Sequence, residues 1–159
     1  MISHDRRILS LDGGGIRGVF TIEVLARMEA ELRAHHGRPE LVLADHFHLI
    51  AGTSTGAIIA ALLSWGYSVA QVRELYHSKA REMFRKAPLW QFFHSKYRHD
   101  GLTQILRKTF LEEDGTAARL GTSKLRTLLL VVMRNATTGS AWPVTNNPQA
   151  KFNHWVDED

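Results

Sequence analysis

Cysteine is absent from the 159 residues, so disulfides and thiolate metal sites are excluded. No apolar run approaches the ~20 residues that a membrane-spanning helix needs. No charged leader followed by an apolar stretch opens the chain. Proline is scarce, at 4 residues, and there is no low-complexity tract or internal repeat. Charge of one sign is also lacking: the formal net charge is +4, too modest to mark a nucleic-acid binder, and no nucleic-acid motif accompanies the basic residues. What is present is an ordinary globular composition, 44% hydrophobic and 23% charged. The expectation is one domain over residues 1–159, soluble and cytoplasmic, with no cofactor and no metal.

The order of elements alternates. Ile8–Leu11 reads as a short buried strand that runs into glycines. From Val19 to about His35, Ile22, Leu25, Met28 and Leu32 recur at helical spacing, and Gly37 and Pro39 end the pattern. Leu41–Asp45 is ambiguous. Phe47–Ala51 reads as a second strand, and Ala57–Leu63 as a helix apolar on every side, which belongs in a domain interior. Ser68 and Gln71 have the spacing of a capping box for a third helix, with Val69, Val72, Leu75, Tyr76, Met83 and Phe84 as its buried stripe. Leu102 to about Glu112 predicts a fourth helix, Asp114-Gly115 a turn, and Thr127–Met133 a central strand covered on both faces. Strands alternating with helices predict an α/β domain with a mainly parallel central sheet and helices on both faces. Three strands are legible where about four to six are usual. The rest are sought near 41–45 and 142–152, or the domain is incomplete at its C-terminus.

Two glycine-rich turns carry the chemistry. In Asp12-Gly13-Gly14-Gly15-Ile16-Arg17-Gly18, glycines 13, 15 and 18 fit G-x-G-x-x-G, a loop that presents backbone N–H groups to an anion at a helix start. The plain alternative is a tight strand-to-helix turn without ligand. A dinucleotide site would also want an acid after a second strand; Glu40 and Asp45 lie near that distance, but neither follows a clear strand. The second turn, Gly52-Thr53-Ser54-Thr55-Gly56, fits G-x-S-x-G, the nucleophile elbow. Its plain alternative is a Gly/Ser/Thr turn. The strand before it and the apolar helix after it supply the context the elbow requires.

On these residues the chain resembles the N-terminal part of a patatin-like phospholipase. Ile8–Gly18 matches that family's anion-hole motif and Phe47–Gly56 its nucleophile motif, in the same order and spacing. The resemblance covers about residues 8–153. It implies a three-layer α/β domain and a lipid acyl hydrolase of phospholipase A type, using a Ser–Asp dyad through an acyl-enzyme. It implies Ser54 as nucleophile and Gly13, Gly14 and Gly15 as oxyanion donors, with Arg17 supporting the loop. Asp12, Gly18, Gly52, Thr53, Thr55 and Gly56 complete the motifs. The substrate would be a phospholipid or another acyl ester.

The chain departs from the family at the base. The family's aspartate lies in a later Asp-Gly-Gly or Asp-Gly-Ala, and neither tripeptide follows Ser54. Asp100, Asp114, Asp157 and Asp159 are the remaining candidates, and none fits well. The expectation is that the base lies downstream of residue 159 and that the chain alone is nearly inactive, since loss of one member of a nucleophile–base unit can cost about a million-fold. Two alternatives stay open: a non-catalytic lipid-binding or interaction module, and a Ser-His-Asp esterase using Asp100 or Asp114 with His154. His35, His36, His94 and His99 read as surface residues. Between Lys79 and Arg98, cations mix with Phe84, Trp90, Phe92, Phe93 and Tyr97, which suits either peripheral contact with an anionic membrane or an ordinary solvated face.

Overall fold

The structure is a computed structural model that describes residues 5–15, 18–84, 100–135 and 137–150. The chain alternates as expected: β1 (Ile8–Leu11), α1 (Gly18–His36), α2 (Leu43–His46), β2 (Leu49–Thr53), α3 (Thr55–Trp65), α4 (Val69–Phe84), α5 (Asp100–Thr109), β3 (Leu128–Arg134) and β4 (Ala141–Thr145). The strands form one four-stranded sheet in the order β1-β2-β3-β4. β1, β2 and β3 are parallel and β4 returns antiparallel. Of the two places where further strands were sought, 142–152 holds most of β4, while 41–45 runs into the short helix α2. There Asp45 Oδ2 accepts the Val42 N–H at 3.3 Å, a local closure that favours a helical turn over a strand.

The core forms where α3 lies across the sheet. Ile59, Ala60, Leu62 and Leu63 of α3 pack with Leu11, Ile50 and Leu129 of the first three strands. The all-round apolar character of α3 matches its central position. Gly66, at φ 100°, ends it in the left-handed conformation, and its N–H caps the Leu62 and Leu63 carbonyls. β3 is internal to the sheet, but only Leu129 of its seven residues is buried, so it is less covered than expected. β2 begins and ends two residues later than the expected strand, running through Gly52 to Thr53.

α1 buries Ile22 and Leu25, with Met28 and Leu32 packed against the core at the same spacing. α4 starts at the expected capping box: Ser68 N–H donates to Gln71 Oε1 at 2.8 Å, and Gln71 N–H donates to Ser68 Oγ at 3.3 Å. Val69, Val72 and Tyr76 of its stripe are buried; the side chains of Met83 and Phe84 lie outside the described residues. So does most of the mixed basic and aromatic segment from 79 to 98, along with His94, His99, His154, Asp157 and Asp159.

One acid on the buried face of α1 joins the two helices. Glu29 is 3% exposed and accepts the Val69 N–H at the start of α4 on both carboxylate oxygens, each at 3.2 Å. Arg33, one turn on, pairs with it at 2.8 Å. Burial raises the Glu29 pKa; the Val69 N–H and Arg33 oppose the rise without cancelling it. A folded-state pKa above the unfolded value means that this group's contribution is fully present below the unfolded pKa and is lost as pH rises through the folded one. Glu29→Gln cannot titrate. Urea midpoints from about pH 4 to about pH 8 are therefore expected to fall for the parent chain relative to Glu29→Gln.

Candidate active site

Two strand-to-helix turns meet at one edge of the sheet. β1 and β2 are parallel, with Leu11 opposite Gly52. The residues that follow, Asp12-Gly13 and Thr53-Ser54, therefore leave the sheet side by side. α1 and α3 start at this same edge, so their N-termini direct partial positive charge to it. In parallel α/β sheets this C-terminal edge is the usual ligand side.

Backbone contact brings the turns together. A Cβ on Gly56 would lie 2.3 Å from the Leu11 carbonyl oxygen, and one on Gly52 would lie 2.3 Å from the Gly56 carbonyl oxygen. A Cβ on Gly13 would lie 2.7 Å from Ser54 Cβ. Each of these glycines is thus required by closeness of approach. Between them Ser54 adopts φ 52° and ψ −124°, the only non-glycine residue with positive φ among those described. It is exposed, and as N-cap of α3 its side chain makes no capping bond. A serine held in this costly backbone region, its hydroxyl making no bond to its own helix, has the geometry of an elbow.

The flanking threonines bind the glycine loop. Gly13 N–H donates to Thr53 Oγ1 at 3.0 Å. Gly14 and Gly15 N–H groups donate to Thr55 Oγ1 at 3.2 and 3.1 Å. On the far side of the loop, Tyr76 donates its hydroxyl to the Gly15 carbonyl at 2.5 Å. Gly18 leaves room for that ring: a Cβ there would lie 2.7 Å from the phenol oxygen. Burial pushes the Tyr76 pKa up, which keeps the phenol protonated as a donor. Sequence reading placed Tyr76 only in a buried stripe and the threonines only in a motif. The available signal was the phenol itself, since a buried tyrosine hydroxyl usually has a partner.

The structure thus brings Gly13, Gly14, Gly15, Gly18, Gly52, Thr53, Ser54, Thr55 and Gly56 together, with Asp12 exposed at the start of the loop. Arg17 lies outside the described residues, as does the side chain of Asp100. Of the other acids weighed, Asp114 is a turn residue: its Oδ1 accepts the Thr116 N–H at 2.9 Å and hydroxyl at 2.7 Å, and those bonds lower its pKa. Asp45 pairs with Arg126, and Glu40 pairs with Arg38 at 2.9 Å. Neither of these two acids follows β2, which ends at Thr53 and leads straight into Ser54, so the dinucleotide pattern is not met. Among the described residues, no group of three or more His, Asp or Glu side chains could hold a metal ion. No helix among them is long and apolar enough to cross a membrane.

A mainly parallel α/β sheet with a glycine loop beside a strained serine turn defines a class of domain with its candidate site at two neighbouring strand ends. Within that class, a family model described as "Patatin-like phospholipase" matches residues 9–154, and the chain belongs to that family. A cGAMP-activated phospholipase of Vibrio cholerae is 32% identical over 159 residues, covering 93% of this chain and 44% of the relative. Patatin-like protein 4 of Arabidopsis thaliana is 32% identical over 138 residues, covering 76% and 34%. A cGAMP-activated phospholipase of Escherichia coli is 42% identical over 78 residues, covering 49% and 22%. The chain spans less than half the length of these curated relatives.

The backbone strain at Ser54 has a measurable signature. Strain of about 1–3 kcal/mol should be relieved by glycine and retained by alanine, less about 0.5–1 kcal/mol for glycine's greater unfolded-state freedom. Ser54→Gly is therefore expected to be more stable than Ser54→Ala by about 1 kcal/mol in urea unfolding. Gly56→Ala, which forces a Cβ against backbone, should cost about 3 kcal/mol or prevent folding. Gly121→Ala, with nothing within 4 Å of its Cβ, should change stability by less than about 0.5 kcal/mol.

Proposed function

We propose that this chain carries the nucleophile and the anion-binding loop of a lipid acyl hydrolase of phospholipase A type. The observation that carries the reading is Ser54: an exposed serine at φ 52°, between two helix N-termini and beside a loop of three glycines. Membership of the patatin-like phospholipase family supports a lipid acyl ester as the substrate. Ser54 Oγ attacks the ester carbonyl carbon and its proton passes to a carboxylate base. The carbonyl oxygen becomes an oxyanion, stabilised by N–H groups of the Gly13–Gly15 loop, with each donor worth about 3 kcal/mol. Collapse breaks the ester C–O bond. The leaving alcohol takes the proton from the base and the acyl group stays on Ser54. Water then attacks the acyl-enzyme, gives a proton to the base and releases the fatty acid, and the proton returns to Ser54.

The base is assigned to a carboxylate outside the described residues. Three described acids are otherwise engaged: Glu29 under the start of α4, Asp45 with Arg126, and Asp114 in its turn. Arg17 is proposed, from the motif alone, to support the glycine loop.

The test is labelling with a fluorophosphonate, together with fatty-acid release from phospholipid vesicles. Each is run with and without cGAMP, the activator in the names of two of the relatives. Labelling and release are expected from a chain extended to carry the carboxylate base, are nearly absent from residues 1–159 alone, and are lost from the extended chain in Ser54→Ala. Equal labelling of Ser54→Ala would remove Ser54 from the nucleophile role.

A further inference from the structure

The donors of the glycine loop are already occupied. Thr55 Oγ1 accepts two successive N–H groups, Gly14 at 3.2 Å and Gly15 at 3.1 Å. A hydroxyl oxygen has two acceptor positions, so Thr55 spends its whole accepting capacity on this loop. Thr53 Oγ1 takes the next donor, Gly13 N–H, at 3.0 Å. Thr55 is 6% exposed and is the first residue of α3, directly after Ser54. An oxygen carrying partial negative charge thus sits among N–H groups at a helix start, where an anion would be favoured. An N–H has a single proton, and a well-aligned bond to the hydroxyl leaves little for a second acceptor.

We infer that Thr55 Oγ1 is an internal stand-in for the oxyanion, holding the Gly14 and Gly15 N–H groups at rest and yielding them as charge develops on an ester oxygen beside Ser54. The inference rests on the Ser54 reading proposed above. The exchange follows from the difference between acceptors. A neutral carbonyl offers the donors no more than the threonine hydroxyl does. A full negative charge offers a bond roughly twice as strong. The swap is therefore favourable only near the transition state, which is the kind of differential binding that accelerates a reaction. At rest, the same hydroxyl spares the loop the cost of unmet buried donors. Thr55 acts here as a positioning residue through the two glycines.

Thr55→Val and Thr55→Ser, made in a chain extended to carry the base, separate this role from a structural one. Valine keeps the shape and removes the acceptor; serine keeps the acceptor. Thr55→Val is expected to speed fluorophosphonate labelling of Ser54 by about twofold to tenfold, the worth of the hydrogen bonds no longer broken on reaction. The gain should fall on kcat for vesicle phospholipid with KM little changed, while the melting temperature drops. Thr55→Ser should return labelling and melting toward the parent values. A second readout needs no turnover: the Gly14 and Gly15 amide resonances should move in Thr55→Val and return in Thr55→Ser. Slower labelling in a folded Thr55→Val would overturn the inference, because the hydroxyl would then be holding the productive loop. Unmoved Gly14 and Gly15 resonances would overturn it as well. If the amides move and neither the base-carrying parent nor any of its variants labels at Ser54, the nucleophile proposal fails and the stand-in role falls with it.

Discussion

Backbone against backbone is the constraint on which this domain's candidate site depends. Gly52, Gly56 and the end of β1 approach so closely that a single methyl at either glycine would lie 2.3 Å from a carbonyl oxygen. That contact sets β1 beside β2, seats the start of α3 on both, and forces the chain through the left-handed region at Ser54. Strain of this kind persists only when the surroundings over-determine it. Here the apolar packing of α3 against three strands supplies that surplus. The core holds the turn, and the turn sets the spacing between the serine and the glycine loop.

Much of this was legible in the sequence because the strongest signals are local. The period of α1, the unbroken apolar run of α3, the Ser68/Gln71 box and the two glycine motifs each predict their own neighbourhood. The mainly parallel α/β class follows from their alternation. Differences lie where tertiary pairing decides, and in one place where a local bond does. β2 extends to Thr53 because β3 offers Val132 as a partner and Gly52 permits the approach. Residues 41–45 turned helical through a short-range bond to Asp45. β4 was visible only as a region to search, since it exists by pairing with β3.

The site was legible as a pair of motifs but not as a set of bonds. Nothing in the spacing says that the threonines beside Ser54 accept from the glycine loop, or that a phenol 61 residues away donates to Gly15. These are contacts between elements brought together by folding. Composition offered one hint, that polar groups buried in this tyrosine and these threonines require partners.

Helix α4 is held at two points that lead to different parts of the molecule. Its first N–H is gripped by Glu29 from α1, and Tyr76, two turns further on, holds the Gly15 carbonyl. α1 itself begins where the glycine loop ends. Loop, α1 and α4 therefore form a closed mechanical linkage, like a lever pinned at its base with a short arm resting on the loop. A rotation of α4 about that anchored start would carry Tyr76 with it, and Tyr76 is bonded to the Gly15 carbonyl.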